Sequence, residues 1–167
     1  AADAAGTPPA AALVSDLVVT FPFTFDDRYQ LRGGAQEVVL FKKAQLVVGE
    51  LYHRFRAEDP RFAFRDGDCL TAFIDNVIVA VLRKVGVVAV TDELAAKIEA
   101  HTELPSGSEE EVALRAAAMV GVEEVARLRA ADGLTPTELG NYLWGILGKT
   151  PEFRKFTRHV TRDNVFY

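Results

Sequence analysis

Apolar residues recur at helical spacing along most of the chain, which predicts a mostly helical fold. One amphipathic helix is predicted at residues 38–56. A second helix, at residues 69–85, is apolar nearly all round and is therefore expected at the centre of the fold. Asp68 is the expected N-cap of this central helix, and Gly86 is expected to end it. Residues 20–34 are aromatic and turn-rich, which favours an ordered loop with a short extended piece.

The second half of the chain contains further helices with clear start signals. A short helix is predicted at residues 91–100, a long one at 108–131 and a third at 135–148. The last two begin with capping boxes, in which a Ser or Thr is followed three residues later by Glu. Residues 151–156 are expected to add a helical turn, and the tail at 159–167 is expected to be extended. The predicted fold class is therefore all-α, with short extended segments.

The domain organisation follows from composition. We expect one helical domain at residues 13–167, preceded by a flexible Ala-rich lead-in at residues 1–12. A chain of 167 residues is long enough to bury a sizeable core. The net charge of −5 argues against direct nucleic-acid binding, which needs a basic surface. No apolar run reaches the roughly 18–20 residues that cross a bilayer, so no membrane partner is expected.

Cysteine and histidine are scarce in this chain. Cys69 is the single cysteine, so no intrachain disulfide can form, which favours the cytoplasm or another reducing compartment. The three histidines are scattered and give no zinc-binding spacing. We therefore expect no metal site, and no cofactor is predicted.

Asp75 is the most informative residue of the sequence. It interrupts an apolar run that otherwise has the pattern of a buried helix interior. A carboxylate in such a place is costly unless it is paired, hydrogen-bonded or protonated, and such residues are candidate functional sites. The alternative is a structural aspartate bonded to a neighbouring helix or to a buried water.

Phe73 precedes Asp75 by two residues. On a straight helix the two side chains would not share a face, whereas a short loop or kink would let both line one pocket. An aromatic ring beside a carboxylate is a common way to hold a flat, polar base. The alternative is that Phe73 is a core residue.

Several other polar or aromatic side chains are candidates with equally plain alternatives. Lys42, one of two adjacent lysines, could hold a phosphate or lie on a solvated helix flank. Arg115 lies in an Ala-rich stretch and is expected to pair with a carboxylate, Asp75 being one possible partner. Tyr142 and Trp144 have polar tips that seek partners, although core packing would also explain them.

Five segments occur in the order and spacing of one known family. They are the aliphatic and Phe-Pro stretch at 13–23, Phe-Lys-Lys-Ala-Gln at 41–45, Leu-Thr-Ala-Phe-Ile-Asp at 70–75, the capped helix start at 107–116 and Tyr-Leu-Trp at 142–144. Together they resemble the queuosine salvage family. Members of that family are queuosine 5′-phosphate N-glycosidases, which hydrolyse the bond between ribose and the modified base and release queuine for tRNA modification. The resemblance implies a helical fold similar to that of DNA glycosylases and a small nucleotide, queuosine 5′-phosphate, as the partner.

The resemblance also suggests roles for individual residues. Asp75 is the catalytic candidate, and by position it would contact the base or its diol. The substrate-binding candidates are Phe73, Lys42, Asn141, Tyr142 and Trp144, with Lys42 on the phosphate. Breaking an N-glycosidic bond builds positive charge on the sugar, which a fixed carboxylate stabilises. A carboxylate can also act as nucleophile or activate water.

Two departures from the family pattern leave the function open. Gly140 stands where the family has its expected catalytic aspartate, and the resemblance covers only the C-terminal half of the family. One hypothesis is an N-glycosidase domain whose other half is a second chain or a missing N-terminal half. Another is a catalytically silent relative that serves as a structural or binding subunit of a larger assembly. A third is a helical interaction domain without a ligand.

Overall fold

The helices and strands are defined by a computed structural model that describes residues 9–31 and 37–167. These residues contain eight α-helices and two short strands. In chain order they are α1 (Ala10–Thr20), α2 (Pro22–Phe25), β1 (Arg28–Gln30), β2 (Glu37–Val39), α3 (Lys42–Phe55), α4 (Asn76–Lys84), α5 (Asp92–Glu99), α6 (Glu109–Leu128), α7 (Pro136–Gly145) and α8 (Pro151–Arg154). The predicted fold class, mostly helical with short extended segments, is confirmed.

Parts of two predicted segments lie outside the described residues. These are residues 1–8 of the predicted lead-in and residues 32–34 of the predicted loop at 20–34. Within the described part of the lead-in, residues 10–12 belong to α1.

Two clusters of buried apolar side chains form the core. The larger cluster gathers around α4 and contains Ile78, Val81, Leu82, Leu114, Ala118, Val122 and Leu143. The smaller cluster joins α1 and α3 and contains Val14, Val18, Ala44, Val48, Tyr52 and Phe64. Each fully buried Val, Leu or Ile side chain contributes about 1.5–3 kcal/mol to folding. The segment at residues 70–75 links the clusters, because Leu70 packs in the smaller one and Ala72 and Ile74 in the larger.

The central helix is shorter than predicted, and its N-cap is Asp75 rather than Asp68. α4 begins at Asn76, and residues 70–75 before it contain no helix. The reason is the carboxylate: Oδ1 of Asp75 accepts hydrogen bonds from the backbone N–H groups of Val77 and Ile78, at 2.9 and 3.0 Å. These N–H groups have no partner inside a helix. The prediction that Asp75 lies inside a helix was therefore wrong.

The start of α3 also differs from the prediction. Residues 37–39 form β2, which pairs antiparallel with β1, and α3 begins only at Lys42. The β-branched side chains of Val38 and Val39 favour extended backbone. Phe41 then adopts a left-handed conformation, with φ 46°, before the helix starts.

The later helices begin where the sequence predicts. Thr91, Ser108 and Thr135 are the N-caps of α5, α6 and α7, and the capping box at Thr135 is complete. α7 ends at Gly145, three residues earlier than predicted. Among the described residues, no helix combines the length and the hydropathy that a membrane span requires.

Candidate functional site

A cavity of about 450 Å³ lies where α3, α7, the start of α4 and the C-terminal tail meet the 70–75 segment. We call it the main cavity. Its lining residues are Lys42, Leu46, Glu50, Phe73, Asp75, Ile78, Gly140, Asn141, Trp144 and Tyr167. A pocket of this size, with aromatic walls and a few polar groups, is typical of small-molecule sites. It brings together all the candidates named from the sequence except Tyr142 and Arg115.

The 70–75 segment brings Phe73 and Asp75 to the main cavity together. The segment is not helical, and a hydrogen bond from the Ile74 N–H to the Ala72 carbonyl oxygen, at 3.0 Å, turns the chain at Phe73. The helical spacing that would place Phe73 and Asp75 on different faces therefore does not apply. The backbone of this segment is fixed from both sides. The side chain of Gln45 accepts a hydrogen bond from the Thr71 N–H at 2.9 Å, and the hydroxyl of Thr137 donates to the carbonyl oxygen of Leu70 at 3.0 Å.

The ring of Phe73 is held by close packing against α3. Phe73 is buried, and its Cζ atom would lie only 2.7 Å from a Cβ atom added at Gly49. A side chain at that glycine would therefore push the ring out of place. Phe73 is both a core residue and a wall of the cavity, so the two alternatives considered from the sequence hold at once.

Asp75 uses only one of its two carboxylate oxygens to cap α4. Oδ1 accepts both backbone hydrogen bonds, and Oδ2 makes none within the described part of the chain. The cap fixes the orientation of the carboxylate, and the N-terminal end of the helix dipole favours its negative charge. Asp75 therefore presents a rigid, half-buried anionic oxygen at the main cavity.

Lys42 is the cation of the main cavity. It is the first residue of α3 and is half-buried. Burial lowers the pKa of its ammonium, and the nearby Asp75 carboxylate partly offsets this effect. No ion pair closer than 4.0 Å joins Lys42 to a described carboxylate. Its charge is therefore available to an anionic group of a ligand.

Helix α7 forms the opposite wall through Gly140, Asn141 and Trp144. A Cβ atom at Gly140 would lie 2.7 Å from the Cβ of Ala72 and 3.3 Å from its Cα. The helix thus approaches the 70–75 segment so closely that only glycine fits without a shift. The carboxylate expected here from the family pattern is absent, and the packing leaves no space for one.

Trp144 and Tyr142 differ in their positions on α7. The Trp144 ring lines the main cavity and carries the Nζ atom of Lys149 over its face, 4.5 Å from the centroid. Tyr142 is about half exposed and does not line the cavity. The structure thus separates Tyr142 from the other substrate-binding candidates.

Two lining residues with polar side-chain groups, Glu50 and Tyr167, were not among the candidates from the sequence. Glu50 follows Lys42 and Leu46 at intervals of four, so the three share one face of α3. That spacing is a signal that could have identified Glu50. Tyr167 arrives from the tail, far along the chain from the other lining residues, and no periodic pattern connects it to them.

Arg115 does not pair with Asp75. Its guanidinium lies in a buried cluster where Nη1 donates to Asp27 Oδ2 at 2.8 Å and Nε donates to Glu111 Oε1 at 2.6 Å. Burial alone would lower the pKa of Arg115, but hydrogen bonds and charge attraction from Asp27 and Glu111 outweigh it and raise the pKa. Tyr29 accepts a further hydrogen bond from Nη2 at 2.9 Å. The expectation that Arg115 pairs with a carboxylate is confirmed, but its partners are Asp27 and Glu111 and not Asp75, which was named as one possible partner.

The buried cluster reaches the main cavity through Tyr167. The Tyr167 hydroxyl donates to Glu111 Oε1 at 2.8 Å and lies 2.7 Å from Nε2 of His159. Its ring also lies over the guanidinium of Arg115, at 5.4 Å. These contacts fix one wall of the cavity to the ion cluster in the core.

The chemistry available in the main cavity is that of recognition and charge stabilisation. It offers the Lys42 cation, two carboxylates in Asp75 and Glu50, and aromatic surfaces. Among the described residues, no group of three or more His, Cys, Asp or Glu side chains could hold a metal ion. The arrangement suits a ligand with a flat polar ring and an anionic group.

Comparison with known proteins relates this chain to one family and to relatives that share a single name. The family described as "Queuosine salvage protein" matches residues 3–167. A protein of Sphaerobacter thermophilus named queuosine 5′-phosphate N-glycosylase/hydrolase is 39% identical over 124 residues, covering 74% of this chain and 37% of the relative. A protein of the same name from Dictyostelium discoideum is 30% identical over 115 residues, covering 69% of this chain and 35% of the relative. The chain thus spans little more than a third of the length of these relatives.

Proposed function

The chain belongs to the queuosine salvage family, and we propose that its main cavity binds queuosine 5′-phosphate and hydrolyses the N-glycosidic bond, releasing queuine. The observation that carries the proposal is the joint placement of Phe73, Asp75 and Lys42 around one cavity. Two relatives named for this activity support it as well.

The proposed roles follow from the chemistry of each side chain. The ring of Phe73 packs against the flat base. Lys42 attracts the 5′-phosphate as a point charge, and its partial burial strengthens that attraction. Trp144 and Asn141 contact the nucleotide from α7.

Asp75 is the proposed catalytic residue. As the N-glycosidic bond lengthens, positive charge develops on the sugar, and the fixed carboxylate stabilises it without having to reorient. The free Oδ2 atom is the atom that acts, because Oδ1 is occupied by the cap. The bond between C1′ of the sugar and the base nitrogen breaks, the oxygen of a water molecule bonds to C1′, and a proton from that water passes to the base, which leaves as queuine.

One observation favours a second function, in which the cavity binds the nucleotide and does not hydrolyse it. Gly140 occupies the position of the carboxylate expected from the family pattern, and its contact with Ala72 leaves no room for a replacement. In this case the chain would act as a binding or structural subunit.

A larger assembly is part of either proposal. In each relative, the sequence outside the matched stretch is nearly twice as long as the matched stretch itself. Large apolar side chains are exposed on α6, where Val120 is 62% and Leu128 is 71% exposed, and such surface favours association. We propose that a second chain or a further N-terminal segment completes the site.

The test is to incubate the chain with queuosine 5′-phosphate, measure free queuine by mass spectrometry and measure binding by calorimetry. Release of queuine supports the hydrolase, and binding without release supports the second function. Absence of binding contradicts both. Lys42→Gln is expected to weaken nucleotide binding about tenfold. Lys43→Gln is the control: it also removes one positive charge, but Lys43 does not line the cavity, so nucleotide binding should change little.

A further inference from the structure

A second cavity, of about 430 Å³, has Asn76, the first residue of α4, in its lining. Asp75 lines the main cavity, and the next residue, Asn76, lines the second one. The remaining walls are His101 and the continuous segment at residues 154–161, which runs from the end of α8 into the tail. We call it the basic cavity.

The lining of the basic cavity carries an excess of positive charge. Arg154, Lys155 and Arg158 lie within five residues of each other, and no carboxylate is among the described lining residues. None of the three makes an ion pair with another described residue. The neighbouring Arg83 and Lys84, by contrast, have acidic partners within 4.0 Å. Unpaired cations around one cleft repel each other, and a bound anion would relieve that repulsion.

The positive charge of the basic cavity contrasts with the negative net charge of the whole chain. The net charge is −5, so a cleft with three unpaired cations is not a consequence of a generally basic surface. Clefts lined by one sign of charge concentrate oppositely charged ligands. The basic cavity is therefore a local attraction site for anions on an acidic protein.

Two histidines add polar groups to the same cavity. His101 follows the C-cap of α5 in a left-handed conformation, with φ 53°, and the Thr102 N–H donates to the Lys97 carbonyl oxygen at 2.9 Å, which ends the helix. His159 is 2% exposed, and its Nδ1 atom has no hydrogen-bond partner among the described residues. The Tyr167 hydroxyl donates its proton to Glu111, so Nε2 of His159 donates to Tyr167 and Nδ1 is left as an acceptor.

We propose that the basic cavity binds a phosphate group, in addition to the nucleotide site described above. Phosphate offers several anionic oxygens to the guanidinium and ammonium groups. His159, whose buried Nδ1 atom lacks a partner among the described residues, lies in the wall of the same cavity. The source of the group is either inorganic phosphate or a phosphate monoester.

The direct test is titration of the full chain with inorganic phosphate, followed by the backbone amide shifts in NMR spectra. We expect shifts concentrated at residues 154–161. The triple variant Arg154→Gln, Lys155→Gln, Arg158→Gln is expected to bind at least about tenfold more weakly. Arg65→Gln is the matched control, because Arg65 is exposed and lines neither cavity. Thermal unfolding of each variant verifies that it is folded.

Unchanged affinity of the triple variant would overturn the proposal, as would an equal loss in Arg65→Gln or shifts spread over the whole surface. A second arm identifies the source. If saturating inorganic phosphate weakens the binding of queuosine 5′-phosphate to the wild type and not to the triple variant, the basic cavity takes the phosphate of the nucleotide; competition that persists in the triple variant is competition at Lys42. If both bind together, it takes a separate phosphate. Neither arm depends on queuine release, so this proposal and the proposed hydrolysis can fail independently.

Discussion

The contact between Gly140 and Ala72 predicts that the position expected for a catalytic aspartate cannot accept even a methyl group without cost. A Cβ atom at Gly140 would lie 2.7 Å from the Ala72 Cβ, far inside the normal contact distance of two carbon atoms. The Ala72 methyl is attached directly to the backbone, so relief requires the 70–75 segment or α7 to move. That segment carries Phe73 and Asp75, so the strain would reach the main cavity.

The expected magnitude follows from two opposing effects. Overpacking of this kind costs about 1–3 kcal/mol, and replacing glycine with alanine in a helix gains up to about 1 kcal/mol. We therefore expect Gly140→Ala to lower the free energy of unfolding by up to about 2 kcal/mol. Gly145→Ala is the control on the same helix, because nothing lies within 4 Å of a Cβ atom there. It should be neutral or slightly stabilising.

Urea denaturation followed by circular dichroism measures these differences, and a double-mutant cycle isolates the contact. Ala72→Gly removes the opposing methyl, so the cost of Gly140→Ala should shrink by at least about 1 kcal/mol in that background. If Gly140→Ala behaves like Gly145→Ala and shows no coupling to Ala72→Gly, the contact between Gly140 and Ala72 does not limit this position. If the coupling is found, Gly140→Asp should be assayed together with Ala72→Gly, because strain alone could otherwise prevent a gain of activity.

Two further predictions concern the buried polar groups. Arg115→Met leaves the carboxylates of Asp27 and Glu111 buried without their cation and should cost at least about 3 kcal/mol in urea denaturation; Arg127→Gln, at an exposed ion pair on the same helix, should cost less than about 1 kcal/mol. Equal losses of unfolding free energy in the two variants would contradict the burial of the Arg115 ion cluster. Burial, with nearby arginine charges, lowers the pKa of His159 to about 4, so below its ordinary pKa of 6.5 the unfolded state binds a proton that the folded state does not. Stability should therefore fall by up to about 3 kcal/mol more between pH 6.5 and pH 4 in the wild type than in His159→Gln, and identical pH profiles would contradict this.

Local signals in the sequence were sufficient to locate most helix starts. The caps at Thr91, Ser108 and Thr135 depend on side chains within three residues of the helix start, so the sequence contains the whole interaction. The start of α4 was not predictable in this way. Asp68 and Asp75 are both acceptable caps, and the choice depends on the tertiary hydrogen bonds that hold residues 70–75 in a non-helical conformation.

The candidate site was predictable to a similar degree. The resemblance identified Phe73, Asp75 and Lys42, and the structure brings these three to one cavity. The contribution of Tyr167 depends on the path of the tail, and the partner of Arg115 depends on how the β1–β2 hairpin approaches α6. Both are contacts between parts of the chain that are far apart in sequence, and neither hydrophobic periodicity nor capping signals contain them.

The proposed role of Asp75 is to promote cleavage of the N-glycosidic bond, and the rate of queuine release by the Asp75→Asn variant measures that role. Asparagine caps helices as well as aspartate does and can accept the same hydrogen bonds from Val77 and Ile78, so this variant should remain folded. We predict that release from queuosine 5′-phosphate falls by at least about 100-fold, while nucleotide binding changes by less than about tenfold. Release by Asp75→Asn at the rate of the unaltered chain would contradict the account.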